Sequence, residues 1–576
     1  MIDAIEPYPD GRWFPNEHRV SERFPLLCRG NAGEVYPNVV SPLTGSIVAE
    51  PFSEGQRRLS IDAGLATPEQ LREFDGVTFS VVGMFAGYLY ANVSLARSAA
   101  ARTPGLTAAD VDQQMFGLTD APPSRRGPGD RSPRAALRTM RFIAPRVLRP
   151  EDGRLAEVRH LVDSTVAKAP AVPTASDAAL LAVVHRDRKH LDRLMYELIS
   201  AGFAAGVGRA MLERLVEMHG GDGLINRLTA GLGTIESAEP AAELWRLGRM
   251  VAEDATLMEL FDAGTKNLDT RLRADTSAPA TDFVAAFDTF RRRHGARGPE
   301  EWELASATWG TDPDIALAQI ERLRHAPVDR APGRGTTVAE REALVAKVRA
   351  GLPGPKRPMF DRALRAATVG EANREATKAA LVRLLWPMRQ ALAELGRRSG
   401  LPHGDFFLLL LSELPDALEE PRAFATVIAE RRARRDYLQA RVPPFWFEGA
   451  VPDPRTWHLR ADELKPDRTP RTLNGLGVCS GQATGRARVV TDPAQPGDLQ
   501  PDEILVAPIT DPSWTPLFLA VAGVVVDVGA QMSHAAIVSR ELGIPAVVSV
   551  TGASTTIPDG VLVTVDGDQG TVTVHG

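Results

Sequence analysis

Two short apolar runs bounded by glycine or proline, Gly523-Val524-Val525-Val526-Asp527-Val528 and Ala546-Val547-Val548-Ser549-Val550, constrain the fold more than any other feature of the chain. Each has the length and the β-branched content of a buried strand. Between them, Ser533 to Leu542 has the residues of a short helix, opened by a hydroxyl cap and stopped by Gly543 and Pro545. His534 is thereby set at a helix N-terminus. The first-turn N–H groups there are unpaired and the helix dipole is positive, which suits a phosphate. A neutral imidazole is also a competent nucleophile near pH 7, and Gly529 lets the backbone come close to a phosphoryl group. The pattern predicts a phosphohistidine; a histidine that only caps or packs is the alternative.

A second constraint lies upstream, in a helix predicted from about Val369 to Arg398. Arg374, Lys378, Leu381, Leu385, Met388, Leu392 and Leu395 recur in alternating steps of four and three, so all lie on one stripe. The lower part of the stripe is apolar and must be buried, which puts Arg374 and Lys378 in line with the core face. Buried cations need anionic partners or an anionic ligand, so the top of this helix is a candidate site for a phosphoryl group. The alternative is that both side chains run past the core edge and reach water. Pro387 is expected to kink the helix. Upstream again, Arg293-His294-Gly295-Ala296-Arg297-Gly298-Pro299-Glu300-Glu301-Trp302 places arginine and carboxylates between a glycine turn and a tryptophan. This predicts an ion-paired corner facing a cleft, with Arg297 and Glu301 as candidate substrate contacts.

The rest of the chain gives organisation. Residues before about 34 lack a period and read as an extended arm, and Glu34 to Ser46 reads as a turn-rich entry to a helix. From Ala178 to Leu260 the period is helical, with a break predicted at Gly220-Gly221-Asp222-Gly223. Arg125, Arg126, Arg131, Arg134, Arg138, Arg141, Arg146 and Arg149 form a charge run that reads as a solvated loop and surface helix, or as a docking surface. Arg441 to Thr472 reads as a proline- and charge-rich linker. The expected layout is an arm over 1–33, a mostly α-helical acceptor-binding domain over 34–440, a linker over 441–472 and a small β/α domain over 473–576.

Composition excludes other classes. With 44% apolar and 24% charged residues and a net charge of -6, nothing calls for nucleic acid or a membrane surface. The two cysteines, Cys28 and Cys479, lack metal-ligand spacing, so no metal site is expected and a reducing cytoplasm is the default. No G-x-x-x-x-G-K-[ST] occurs, and the glycines at 475, 477 and 481 have the wrong spacing for G-x-G-x-x-G.

Gly529 to Arg540 resembles the G-[GA]-x-x-x-H-A-A-I-V-x-R pattern of the swivelling phosphohistidine domain of phosphoenolpyruvate-utilising enzymes. Val506-Ala507-Pro508-Ile509-Thr510-Asp511-Pro512-Ser513-Trp514-Thr515-Pro516 is similar to the same family. Met532 replaces the Ser, Thr or Asn that many members carry two residues before the histidine; the rifampin phosphotransferase branch resembles the chain there. That branch is also resembled by Glu34-Val35-Tyr36-Pro37 with Ser41-Pro42-Leu43-Thr44, by the Arg297-Gly298-Pro299 corner with Trp309 and Asp312-Pro313, and by Arg374-Glu375-x-x-Lys378.

The resemblance implies that His534 takes a phosphoryl group from a nucleotide site, that the domain swings, and that the group passes to a hydroxyl of a bound small molecule. Arg374 and Lys378 would clamp it, Glu375 would orient those cations or take the acceptor proton, and Ser533 would hold the helix start or the phosphate. In the rifampin enzymes an ATP-grasp domain precedes the Glu34 match. Its expected absence here implies that ATP and Mg²⁺ bind a separate ATP-grasp nucleotide-binding protein, a layout like that of phenylphosphate synthase. Two other readings fit the residues: a lyase or dehydratase using the acceptor pocket without phosphohistidine, and a non-catalytic binding or regulatory protein.

Overall fold

The computed structural model describes residues 5–575 apart from 16, 73–81, 104–105, 117–121, 124–132, 152, 230–235, 237–238, 327–337, 461–466, 494–495, 498 and 531–532. Arg125, Arg126, Arg131 and Met532 therefore lie outside the described residues. The chain forms a mostly helical N-terminal region followed by a small β/α domain.

The first elements are β1 (Leu26–Cys28), α1 (Gly30–Val35) and α2 (Pro42–Asp62), then a hairpin of β2 (Val82–Phe85) and β3 (Tyr88–Asn92). The Ser41 hydroxyl caps α2 by accepting the Thr44 N–H, and Pro42 fills the first helical position. Three long helices follow: α3 (Leu191–Thr229), α4 (Ala278–His294) and α5 (Arg357–Ser399). A further strand, β4 (Trp446–Glu448), returns to pair with β1, giving a sheet ordered β2-β3-β1-β4. Strands thus occupy parts of the segments expected to be arm and linker. The cause is an aromatic cluster in which Trp13, Phe14, Tyr88, Tyr90, Phe447 and Trp457 pack together. Its members come from distant parts of the sequence, so no local period reports it.

Helix α3 runs unbroken through Gly220-Gly221-Asp222-Gly223. Leu212, Val216, Ile225 and Leu228 on either side pack with Phe360 and Ala363 of α5. That burial outweighs the low helix propensity of glycine, roughly 1 kcal/mol per residue. Helix α5 begins at Arg357, ahead of the expected Val369, and continues through Pro387. Where α3 and α5 cross, a Cβ on Gly208 would lie 2.6 Å from the Ala367 nitrogen, and one on Gly370 2.9 Å from the Ala205 nitrogen. The backbones therefore touch, one turn before Arg374. Below this crossing Leu381, Leu385, Met388, Leu392 and Leu395 are buried in one core with Leu43 and Ile47 of α2 and Leu194 of α3.

The C-terminal domain holds β5 (Arg471–Asn474), β6 (Leu476–Cys479), β7 (Gln482–Val489), β8 (Ile504–Ala507), β9 (Gly523–Val526), α6 (His534–Leu542), β10 (Ala546–Val548), β11 (Leu562–Asp566) and β12 (Thr571–Val574). They form one sheet ordered β5-β12-β11-β7-β8-β9-β10-β6, in which β7 to β10 are parallel. Helix α6 connects β9 to β10, and Gly543 ends it at φ +69°. Leu519 of this domain joins a core with Phe290, Trp309 and Leu323, so the domain is docked on the helical region. Among the described residues, no helix is long and apolar enough to cross a membrane.

Candidate active site

His534 is the first residue of α6 and is buried. Ser533 caps the helix by accepting the Ala536 N–H at 3.3 Å. Two threonines from the Ile509–Pro516 stretch hold the ring: Thr515 Oγ1 lies 3.1 Å from Nε2 and Thr510 Oγ1 lies 3.3 Å from Nδ1. Phe518 packs at a centroid distance of 6.0 Å. The threonine stretch is itself set by Asp511, which accepts the Ser513 N–H at 2.8 Å and its hydroxyl at 2.5 Å. Burial, then the charges of Lys378 and Arg297, hold the imidazole well below its ordinary range. It is therefore neutral at pH 7 and keeps a lone pair for nucleophilic attack.

The cations that act on His534 come from the other side of the domain interface. Lys378 projects from α5 and is half-buried. Arg374, one turn before it, donates to Glu375 Oε1 at 3.0 Å, with Glu375 almost wholly buried. Arg297 is paired with Glu301 at 3.3 Å, both buried. The loop carrying that pair is fastened by Arg389 of α5, which donates to the carbonyls of Glu301 (2.8 Å), Glu303 (2.9 Å), Leu304 (3.3 Å) and Ser306. Glu303 in turn accepts from Ser41 N at 3.0 Å and Ser41 Oγ at 2.7 Å, and from Thr44 Oγ1, tying the corner to the start of α2. Thus Ser533, His534, Arg297, Glu301, Arg374, Glu375 and Lys378 border one interface, drawn from three separate parts of the sequence.

Several contributors are not singled out by sequence. Thr510 and Thr515 sit within a recognised motif, yet nothing in their spacing marks them as ring partners. Glu34, at the end of α1, is only a motif letter there; the charges of Lys378 and Arg374 and the His534 backbone N–H act on its carboxylate. Burial is the larger effect and pushes Glu34 up to about 7. Glu371 of α5 acts on Arg540, a buried residue of α6 that donates to Ala536 O at 2.9 Å. His403, whose sequence surroundings suggest a structural or solvated role, has Nε2 2.9 Å from Ala305 O and packs on Phe407.

Other chemistries find little support. Burial pushes the thiols of Cys28 and Cys479 up to about 12, so neither is a ready nucleophile. Glu239, Glu243 and His294 lie close enough together to bind a cation. Arg293, however, already donates to both carboxylates, and the charges of Arg297, Arg293 and Arg246 act on His294. The positive charge a metal would bring is already present.

Residues 499–570 match the family described as the PEP-utilising enzyme mobile domain, and residues 197–375 match the one described as the rifampicin phosphotransferase fourth domain. The first match contains His534 and its threonines; the second contains Arg297, Glu301, Arg374 and Glu375. The chain is thus similar, in these two stretches, to phosphoenolpyruvate-utilising enzymes with a mobile domain and to rifampicin phosphotransferase. The rifampicin phosphotransferase of Streptomyces sviceus is 27% identical over 486 residues, covering 81% of this chain and 54% of the relative. An uncharacterized protein of Mycobacterium tuberculosis is 29% identical over 604 residues, covering 99% of this chain and 64% of its own. The prodigiosin synthesizing transferase PigC of Serratia marcescens is 32% identical over 370 residues, 62% of this chain and 40% of the relative. The chain thus spans between 40% and 64% of the length of these curated relatives.

Proposed function

We propose that this chain is a phosphotransferase component that carries a phosphoryl group on His534 and delivers it to a hydroxyl of a small organic molecule bound beside Arg374 and Lys378. The observation that carries this reading is the buried, neutral imidazole at a helix N-terminus, with Lys378 and Arg297 of the facing region acting on it. In-line phosphoryl transfer asks a protein for positioning and charge neutralisation more than for covalent chemistry. Lys378, Arg297 and Arg374 supply the charge. Glu375 and Glu301 orient two of those cations, and Ser533 fixes the start of α6 so that its free N–H groups face the phosphate. The rifampicin phosphotransferases among the relatives support the reaction class.

The phosphoryl donor in this proposal is ATP with Mg²⁺ on a separate ATP-grasp nucleotide-binding protein. The test is the intact mass at mildly alkaline pH after incubation with ATP, Mg²⁺ and extract of the source cell, beside His534→Ala. Gain of one phosphate by the wild type alone is expected. Equal gain by both proteins, or none in an extract shown to hold an active ATP-grasp protein, refutes the carrier role.

A further inference from the structure

We propose that Glu34 is the general base of the transfer step, taking the proton of the acceptor hydroxyl as the phosphoryl group leaves His534. The proposal rests on the phosphohistidine reading above and adds a residue to it. Two carboxylates lie close to Lys378 and Arg374, and they are differently engaged. Glu375 accepts from Arg374 at 3.0 Å and is nearly enclosed, so it is occupied in orienting that cation. Glu34 has its Oε1 buried and without a hydrogen-bond partner among the described residues. A buried carboxylate oxygen without a donor is costly unless something fills that place, and an acceptor O–H is a donor of the right kind.

The other features of Glu34 fit the same task. The N–H of His534, the residue that would carry the phosphoryl group, acts on its carboxylate. The base therefore faces the reacting histidine across the interface between the helical region and the β/α domain. Burial has raised its affinity for protons to about 7, where a base is half ionised at neutral pH and proton exchange is easiest. Lys378 and Arg374 favour the ionised form, burial and Glu375 the protonated one. Gly33, next to it, packs toward the foot of the threonine stretch, where a Cβ on Gly33 would lie 3.4 Å from Ile509 Cδ1.

The step balances as follows. The acceptor oxygen forms its bond to phosphorus while the N–P bond breaks, and the electron pair of that bond stays on the His534 ring nitrogen. The hydroxyl proton passes to Glu34 and from there to the ring nitrogen, leaving a neutral imidazole, an ionised Glu34 and a phosphate ester. With water in place of the acceptor the same base yields inorganic phosphate.

Water is therefore the probe for the test. The full chain is phosphorylated chemically with phosphoramidate, and the phosphate on the His534 peptide is followed by mass spectrometry between pH 5.5 and 9, beside Glu34→Gln and His534→Ala. The glutamine keeps the shape and an acceptor oxygen but cannot take a proton, and a thermal melt verifies that the variant is folded. In the wild type, loss of phosphate is expected to quicken through pH 7 and level off. In Glu34→Gln that rise disappears and the rate above pH 8 falls by roughly 10²-fold, the usual share of a general base. Equal rates and equal pH profiles in the two proteins overturn the role of Glu34 and leave the carrier reading standing. Failure of the wild type to hold phosphate on His534, with other histidines labelled, overturns both.

Discussion

Arg389→Met removes the fastening of the Arg297 corner while nearly keeping the volume. Arg389 is 2% exposed and donates to four carbonyls between Glu301 and Ser306. Methionine leaves all four without this donor. If the two nearer the surface find water and two stay dry, at about 1–3 kcal/mol each, the corner loses about 2–6 kcal/mol. The loss is local, because the corner opens before the α3–α5 core does. It is read by hydrogen exchange at Trp309 and Gly310, whose N–H groups close the loop onto Arg297 O at 2.9 Å and Gly295 O at 3.0 Å. A loss of about 2 kcal/mol speeds exchange there about thirtyfold. Exchange within about threefold of the wild type would refute the view that Arg389 holds the corner. The same variant should lower transfer from His534, since Arg297 loses its fixed place.

Two further outcomes test the positioning of the cations. Lys378→Ala is expected to slow delivery from His534 by roughly 10²-fold without preventing its phosphorylation, because Lys378 faces the histidine only across the interface; rapid-quench transfer assays on phosphorylated protein check this. Gly370→Ala puts a Cβ 2.9 Å from the Ala205 nitrogen, so α3 and α5 must part. A loss of about 1–3 kcal/mol in denaturant unfolding of the helical region is expected, with a fall in activity as Arg374 moves.

Much of the candidate site's placement is legible in the sequence because it is written in local patterns. The strand, capped helix and strand around His534 are short, regular and punctuated by Gly543, so periodicity and caps suffice. The α5 stripe puts Arg374 and Lys378 at the core face for the same reason: a step of three or four is a statement about direction. What sequence leaves out depends on distant partners. Glu34 is brought to His534 from about five hundred positions away, and Arg389 reads as one more charge on a helix until its carbonyl partners are seen. The glycines of α3 look like a stop because propensity is local, whereas the packing against Phe360 that overrides it is not.

The docked interface itself should titrate. Glu300 of the corner is pushed up to about 7 by burial, with Glu303, Asp511 and Asp492 adding to the rise against Asn38; Asp511 of the β/α domain is pushed up to about 6 by burial, with Glu301 beside it. The two meet across the interface, where the Glu300 N–H donates to Asp511 Oδ2 at 3.3 Å. In an undocked protein both carboxyls face water and ionise in the ordinary range. A carboxyl raised on docking favours the docked form fully below its ordinary value, and that favour is lost as pH rises through the docked one. Docking is therefore strongest below about pH 4 and weakens up to about pH 7, by on the order of a hundredfold in the docking constant for each of the two carboxyls. Fluorescent labels on the β/α domain and on α4 would follow it, with Glu300→Gln flattening the curve. A docked fraction that rises with pH would refute this. The physical consequence concerns turnover: Gln319 to Ser513 O at 3.2 Å, the Leu519 contact and Arg540 beside Glu371 hold the domain down. Ionising carboxylates loosen it near neutral pH, which is what the proposed carrier role asks of a histidine that would have to leave its dock.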